Sequence, residues 1–208
     1  WVLCFWAAAG ISASALTVVS NLSNNDASAW DLGPVAGPLS DVGVSFTTGA
    51  GPGWNLDSVT LNLSQDLVTP TPPAEQLTFR LTDDGGGEPG VDLGTFTSII
   101  PTIPGNNSLF PAGAISLSPN TTYWLVGIYP VEEVVYWTNT DDLSETGEPG
   151  WSIGDDTFFF DGADWQISAV GAPVLFEVNA TIVPEPGALG LALFGLSTCL
   201  IGGRRRSG

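Results

Sequence analysis

Apolar and polar residues alternate with a period of two in several short stretches of the chain. Residues 56–63 place Val59, Leu61 and Leu63 on one face, and residues 76–81 repeat the pattern. Such alternation predicts strands with one buried face and one face in water. Further stretches with the composition of strands cover residues 44–48, 95–99, 122–129, 134–139, 156–160, 164–170 and 174–183.

In the stretch at 174–183, the alternation of apolar and polar residues predicts which side chains face inward and which face outward. Its predicted inward-facing residues are Val174, Phe176, Val178, Ala180 and Ile182. Its predicted outward-facing residues are Glu177, Asn179 and Thr181. A strand with this pattern is expected to cover the core with one side only.

Segments rich in Gly, Pro, Asn and Asp separate the candidate strands, and their composition is typical of turns. They cover residues 49–53, 69–73, 83–90, 101–107 and 144–150. Between the two ends of the chain, no stretch carries the apolar stripe of an amphipathic helix. The pattern predicts an all-β fold, a jelly-roll-like β-sandwich of about eight to ten short antiparallel strands.

Residues 85–90 fit the spacing Gly-x-Gly-x-x-Gly of some phosphate-binding loops. Acidic residues surround the segment and no helix is predicted after it, so a phosphate would be repelled. We interpret the segment as a hairpin turn.

Composition restricts the class of protein. The chain has 208 residues, of which 22 are acidic and four are basic, and its formal charge is −18. This charge repels nucleic-acid phosphates, so no nucleic-acid partner is expected. Hydrophobic residues make up 43% and aromatic residues 10%, which indicates a packed core rather than disorder. Arg80 is the only cation before the C-terminal tail.

The N-terminal end has the features of an export signal. Residues 1–15 are mostly apolar and end in Ala13-Ser14-Ala15, the small-x-small pattern that signal peptidase requires. The chain contains no Met and the run lacks a basic start. We therefore expect a signal peptide that is truncated at its start, with cleavage after Ala15.

The C-terminal end combines three features in order. Pro184, Glu185 and Pro186 come first, and residues 187–203 then carry no charge. As a helix this segment would span about 25 Å, close to the thickness of a bilayer core. Arg204, Arg205 and Arg206 follow, and the positive-inside rule predicts that they remain cytoplasmic as a membrane stop.

This arrangement resembles the PEP-CTERM sorting signal of Gram-negative bacteria. The resemblance implies that an exosortase, a membrane-embedded cysteine peptidase or transpeptidase, processes the chain near Pro184, Glu185 and Pro186. It also implies an inner-membrane-anchored precursor that is later delivered to the cell surface or to an exopolysaccharide matrix. The expected organisation is a signal peptide at 1–15, a β-sandwich domain at 16–182 and a sorting signal at 183–208.

A second resemblance concerns the middle of the chain. Residues 42–64, 77–96, 117–127 and 150–156 carry motifs in the same order as the choice-of-anchor R type of domain. Members of that family carry different surface anchors, and the resemblance implies no enzymatic activity.

Catalytic chemistry has few residues to use. The chain contains no His and no Lys, and its two cysteines, Cys4 and Cys199, lie in the predicted terminal segments. The common nucleophile–base pairs therefore cannot be assembled in the domain. A glycosidase that uses two carboxylates is the remaining enzyme alternative, but no acid–base pair is singled out. We predict no enzymatic activity and assign no catalytic residue.

Two hypotheses about bound ligands, calcium and carbohydrate, remain open. Calcium is the first of them, and no other cofactor is expected. Hard oxygen ligands at 83–92 and 154–164 suit calcium, and Asp155, Asp156 and Asp161 form the better candidate group. The alternative is that these residues only favour turns and solubility.

Tryptophans raise the second hypothesis, a carbohydrate-binding module, because an indole face can stack on a sugar ring. Trp54 and Trp151 lie beside Gly-Pro loops and are the candidates for exposed sugar contacts. Trp124 and Trp137 lie in candidate strands and are predicted to belong to the core.

Overall fold

The computed structural model describes residues 14–31, 41–64, 76–128, 135–168 and 172–183. These residues form two antiparallel sheets and contain no helix, so the all-β prediction is confirmed. None of them forms a helix long and apolar enough to cross a membrane. The predicted helix over 187–203 lies outside the described residues.

The larger sheet has eight strands. They are β1 (Leu16–Ser20), β2 (Ser28–Asp31), β4 (Trp54–Ser64), β7 (Gly105–Leu109), β8 (Ser116–Leu117), β10 (Tyr136–Asn139), β11 (Thr146–Gly147) and β14 (Phe176–Ile182). Their order is β11-β1-β14-β4-β10-β2, and β7 and β8 also pair with β4. The long strand β4 therefore organises this sheet.

The smaller sheet has six strands. They are β3 (Val42–Thr47), β5 (Thr78–Asp84), β6 (Pro89–Thr95), β9 (Thr122–Ile128), β12 (Ser152–Phe160) and β13 (Trp165–Ile167). Their order is β13-β12-β3-β9-β5-β6. Every pair in both sheets is antiparallel.

The two sheets enclose one main hydrophobic core, which gives the molecule its sandwich-like character. Phe79 of the smaller sheet meets Trp137 of the larger sheet edge to face, with ring centroids 5.2 Å apart. Trp137 also packs against Phe176 at 6.2 Å. Because all three side chains are essentially inaccessible to water, they hold the sheets together by hydrophobic burial.

The alternation along the strands accounts for this core. Val59, Leu61 and Leu63 of β4 are fully buried, as predicted, while the residues between them are only partly buried. The inward assignment is confirmed for Val174, which precedes β14, and for Phe176, Val178 and Ala180 within it, but Ile182 is 39% exposed. The strand runs past the edge of the core at this point, so its last inward-facing side chain reaches water.

The hairpin prediction for residues 85–90 is confirmed. The segment joins β5 to β6, and the Gly85 amide donates to the Glu88 carbonyl at 2.8 Å. Gly86 and Gly87 have φ values of +107° and +96°, a region that side chains other than glycine rarely adopt. The glycines therefore serve the turn.

The number of strands was predicted too low. Fourteen strands lie in the described residues, and residues 95–99 contribute only the end of β6 and isolated bridges. The strands that were missed are β1, β2, β6, β7, β8 and β11. Most of them are short, or are rich in Gly and polar residues, and lack the alternation of apolar side chains that marks a strand.

Candidate functional site

The first and last described strands are neighbours, which places both ends of the folded region on one side. Strand β1 pairs antiparallel with β14, and Leu16 faces Ala180. Ala15 is exposed and directly precedes β1. The Val183 amide donates to the Gly53 carbonyl at 2.9 Å, which fixes the chain one position before Pro184. The predicted cleavage site after Ala15 and the start of the predicted sorting signal thus leave the domain at the same end.

Several predicted site residues lie outside the described residues. They are Ala13, Pro184, Glu185, Pro186, Arg204, Arg205 and Arg206. The expectations for the signal peptide and for the sorting motif therefore remain predictions.

The prediction that Trp54 and Trp151 are exposed is wrong. Each is 5% exposed, and their rings meet edge to face with centroids 5.4 Å apart. Trp151 also stacks on Phe46 at 6.2 Å with an interplanar angle of 9°. The glycines beside them bring the backbone close to the indoles: a Cβ on Gly49 would lie 2.9 Å from Trp151 Cδ1. Both rings are therefore enclosed by packing, with Gly49 against Trp151, and they cannot form a sugar-binding surface.

The indole N–H groups of these two tryptophans are buried and have no hydrogen-bond partner in the described part of the chain. In contrast, Trp137 Nε1 donates to the Leu175 carbonyl at 3.0 Å. We expect Trp137→Phe to cost about 0.5–1.5 kcal/mol more free energy of unfolding than Trp54→Phe or Trp151→Phe, because only the first removes a hydrogen bond, although the Leu175 carbonyl keeps the Asn62 amide at 3.1 Å. Urea unfolding followed by circular dichroism measures the difference. Equal losses in all three variants would contradict this reasoning.

Trp124 and Trp137 are buried, as predicted, but on opposite sides of the smaller sheet. Trp137 belongs to the main core, whereas Trp124 packs with Val126, Phe158 and Trp165 on the outer face, which points away from the larger sheet. The rings of Trp124 and Phe158 meet edge to face at 4.8 Å. This second cluster was not predicted, because alternation alone does not say that both faces of a strand are covered.

The predicted calcium group does not form. Asp155 and Asp156 lie where the pairing of β12 with β3 is irregular, and Asp161 follows the end of the strand. Asp161 Oδ1 accepts hydrogen bonds from the Asp164 and Ala163 amides, which lower the pKa of its carboxyl group. Among the described residues, no three carboxylates, cysteines or histidines gather into a group that could hold a metal ion.

The carboxylates of the second calcium candidate, residues 83–92, have partners within the chain. Asp83 Oδ1 accepts from the Val91 amide at 2.5 Å. Asp84 Oδ1 accepts from the Gly87 amide and from Trp124 Nε1, both at 2.9 Å. These acidic residues shape the hairpin and fasten it to the outer face.

The pKa shifts give no support to the glycosidase alternative. A carboxyl group that acts as a general acid needs a raised pKa to keep its proton near neutral pH. The pKa of Asp142 is lowered, chiefly by the hydrogen bond from the Ser144 amide, and that of Asp161 is lowered as described above. Both groups therefore stay ionised at neutral pH.

A groove on the outer face, which combines an ion-paired cluster with apolar surface, was not predicted as a site. Arg80 Nη2 lies 2.6 Å from Asp41 Oδ2, and Arg80 Nε lies 3.1 Å from Asp92 Oδ1. The groove around them has a volume of about 170 Å³. The side chains that shape it are Asp41, Thr78, Arg80, Asp92, Thr95 and Val126. We call it the Arg80 groove. The only signal in the sequence was that Arg80 is the single cation outside the tail.

No known protein family matches the chain, and no curated protein is similar enough to count as a relative. The arguments on function therefore rest on the residues themselves.

Proposed function

We propose that this protein is an exported, non-enzymatic surface or extracellular-matrix protein, and that an exosortase processes its C-terminal sorting signal. In this proposal, residues 187–203 form a transmembrane helix that anchors the precursor in the inner membrane of a Gram-negative bacterium. The part exposed outside is the β-sandwich, which we assign to the jelly-roll-like class.

One observation carries the proposal. The order of Pro184, Glu185 and Pro186, an uncharged segment and three arginines places an extended motif directly before a membrane-length segment. Within the described residues, the last backbone hydrogen bond before this motif is the one from the Val183 amide to the Gly53 carbonyl. A peptidase at the membrane would thus meet the motif immediately outside the folded domain.

The position of the chain ends agrees with this topology. During export, a signal peptide and a C-terminal anchor would both hold the protein at the same membrane. A domain whose two ends leave on the same side can stay attached to one membrane through both of them. Ala15 and Val183 meet that condition, since they flank the paired strands β1 and β14.

The residue inventory supports a non-enzymatic role. The chain lacks His and Lys, and its two cysteines lie outside the domain. A domain with this composition is better suited to a binding or structural role in a matrix than to catalysis.

The proposal is tested by the intact mass of the surface-exposed protein from cells with and without an exosortase. We expect a chain that ends near Pro184–Pro186 only when the exosortase is present. Any mass beyond that of the shortened chain would identify a group attached by transpeptidation.

Two variants sharpen this experiment. Glu185→Ala should leave the tail attached in cells that contain the exosortase, whereas Glu88→Ala, an equal loss of charge in the exposed hairpin, should be processed normally. A full-length tail in both strains would mean that the C-terminal segment is an ordinary anchor.

A further inference from the structure

The Arg80 groove holds the only cation of the domain between two carboxylates. The side chain of Arg80 is 35% exposed, that of Asp41 is 15% exposed and that of Asp92 is 63% exposed. One guanidinium and two carboxylates leave the site with a net negative charge. An anionic ligand is therefore repelled both by the groove and by the strongly acidic chain.

The guanidinium still has hydrogen-bonding capacity toward a ligand. Arginine carries five N–H donors in a planar fork. Arg80 Nε is buried and has no hydrogen-bond partner among the described residues, because its 3.1 Å contact with Asp92 lies outside hydrogen-bond geometry. Nε is therefore held by charge attraction to Asp92 and is enclosed, and a ligand would reach the exposed part of the Arg80 side chain instead.

The surroundings of Arg80 combine polar and apolar groups. Cross-strand pairing places Phe158, Gly43, Val126, Arg80 and Thr95 in one row across the outer face. The exposed residues Thr78 and Thr95 add hydroxyl and methyl groups to the groove, whereas Val126 lines it but is itself buried. Carboxylates accept, the guanidinium donates and hydroxyls do both, so the groove matches a ligand that carries several neutral hydroxyl groups.

Aromatic side chains continue the same face. Trp165 is half-buried and lies over Gly43, where a Cβ would approach its ring to 3.3 Å. Its ring is 5.5 Å from that of Phe160. Gly43 lies two strands from Arg80, about 10 Å at the usual strand spacing. A ligand of several linked rings could therefore contact both the groove and these aromatic rings.

We propose that the Arg80 groove binds a neutral polysaccharide, with one sugar ring in the groove and the chain continuing toward Trp165. The volume of about 170 Å³ is below the ~300–1,000 Å³ of pockets for drug-sized ligands, which fits one ring of a longer chain. The ring hydroxyls bond to Asp41, Arg80 and Asp92. The groove thus takes over the sugar contact that the sequence assigned to Trp54 and Trp151.

The test is isothermal titration of the unprocessed full chain, purified in a detergent without a sugar head group. The probes are cellohexaose and mannohexaose, with hexagalacturonate as the charged counterpart. We expect saturable binding of at least one neutral hexasaccharide and none of hexagalacturonate. Saturation by neither neutral sugar, or equal binding of hexagalacturonate, would overturn the proposal.

Asp92→Asn tests the location, because Asp92 is largely exposed and its loss should be tolerated by the fold. We expect this variant to bind about tenfold more weakly, the usual effect of losing a hydrogen bond to a charged group. Asp26→Asn makes the same change of charge at an exposed position in the turn after β1 and should bind like the wild type. Unchanged affinity in Asp92→Asn would place the sugar elsewhere.

Arg80 itself is left in place, because its removal would strand the buried carboxylate of Asp41. Thr95→Val, at an exposed position, supplies a second variant with an expected loss of affinity. The titration does not depend on processing of the tail. A negative result would therefore leave the sorting proposal intact, and a failure of sorting would leave the groove intact.

Discussion

Trp137→Ala is expected to lower the free energy of unfolding by about 3–5 kcal/mol, the usual range for loss of a buried aromatic side chain. Trp137 is fully buried and joins the two sheets, since it contacts Phe79 across the core and Phe176 on the neighbouring side. Its indole also donates to the Leu175 carbonyl. The substitution leaves a cavity and removes one of the two hydrogen bonds that the Leu175 carbonyl accepts, the other coming from the Asn62 amide.

The size of this loss matters because a domain is stabilised by only about 5–15 kcal/mol in total. Urea unfolding monitored by circular dichroism gives the free energy of unfolding without depending on the fluorescence of the tryptophan removed. Phe110→Ala is the matched control, because Phe110 is 58% exposed and its loss should change stability by less than about 0.5 kcal/mol. A similar small effect for Trp137→Ala would mean that the sheets do not pack through this cluster.

Core strands could be predicted from the sequence because a strand buried on one face alternates apolar and polar residues. This holds for β4 and β14, whose inward residues are buried almost without exception. The alternation did not identify β6 and β7, because glycine and polar residues occupy many of their positions. β6 pairs with β5 and β7 pairs with the longer strand β4, so partner contacts rather than their own alternation determine their structure.

The candidate site was harder to predict than the fold, for a physical reason. Neighbours in sequence suggested that Asp155, Asp156 and Asp161 act together, but the Asp161 carboxylate is held in the turn after β12 by the Ala163 and Asp164 amides. The residues that do meet, Asp41, Arg80 and Asp92, come from three separate parts of the chain. Only the register of the smaller sheet brings them together, and the sequence does not state that register.

Gly-Pro loops misled the interpretation of Trp54 and Trp151 in a related way. Such loops are common at the surface, and their presence suggested exposed indoles. Here glycine permits the backbone to approach the rings closely, so the loop and the indole are packed against each other. The same sequence feature is thus compatible with an exposed ring and with a covered one.

Gly147→Ala is expected to cost about 2–6 kcal/mol, from strain at a conformation that favours glycine and from overlap with neighbouring atoms. Gly147 has a φ of +147° in the short strand β11. A Cβ there would overlap the Val18 carbonyl, which belongs to the backbone of β1 and cannot rotate away as a side chain can. Gly113→Ala is the control, since a Cβ at Gly113 meets no atom within 4 Å.

The consequences of Gly147→Ala should extend beyond a lower free energy of unfolding. β11 forms the edge of the larger sheet beside β1, and the Glu148 amide donates to the same Val18 carbonyl at 2.9 Å. Displacing β11 would uncover the edge of β1, and an open strand edge can pair with another chain. We therefore expect Gly147→Ala to form larger species on size-exclusion chromatography, while Gly113→Ala stays like the wild type. If Gly147→Ala were as stable and as uniform in size as the control, the edge of β1 would have to be protected by something other than β11.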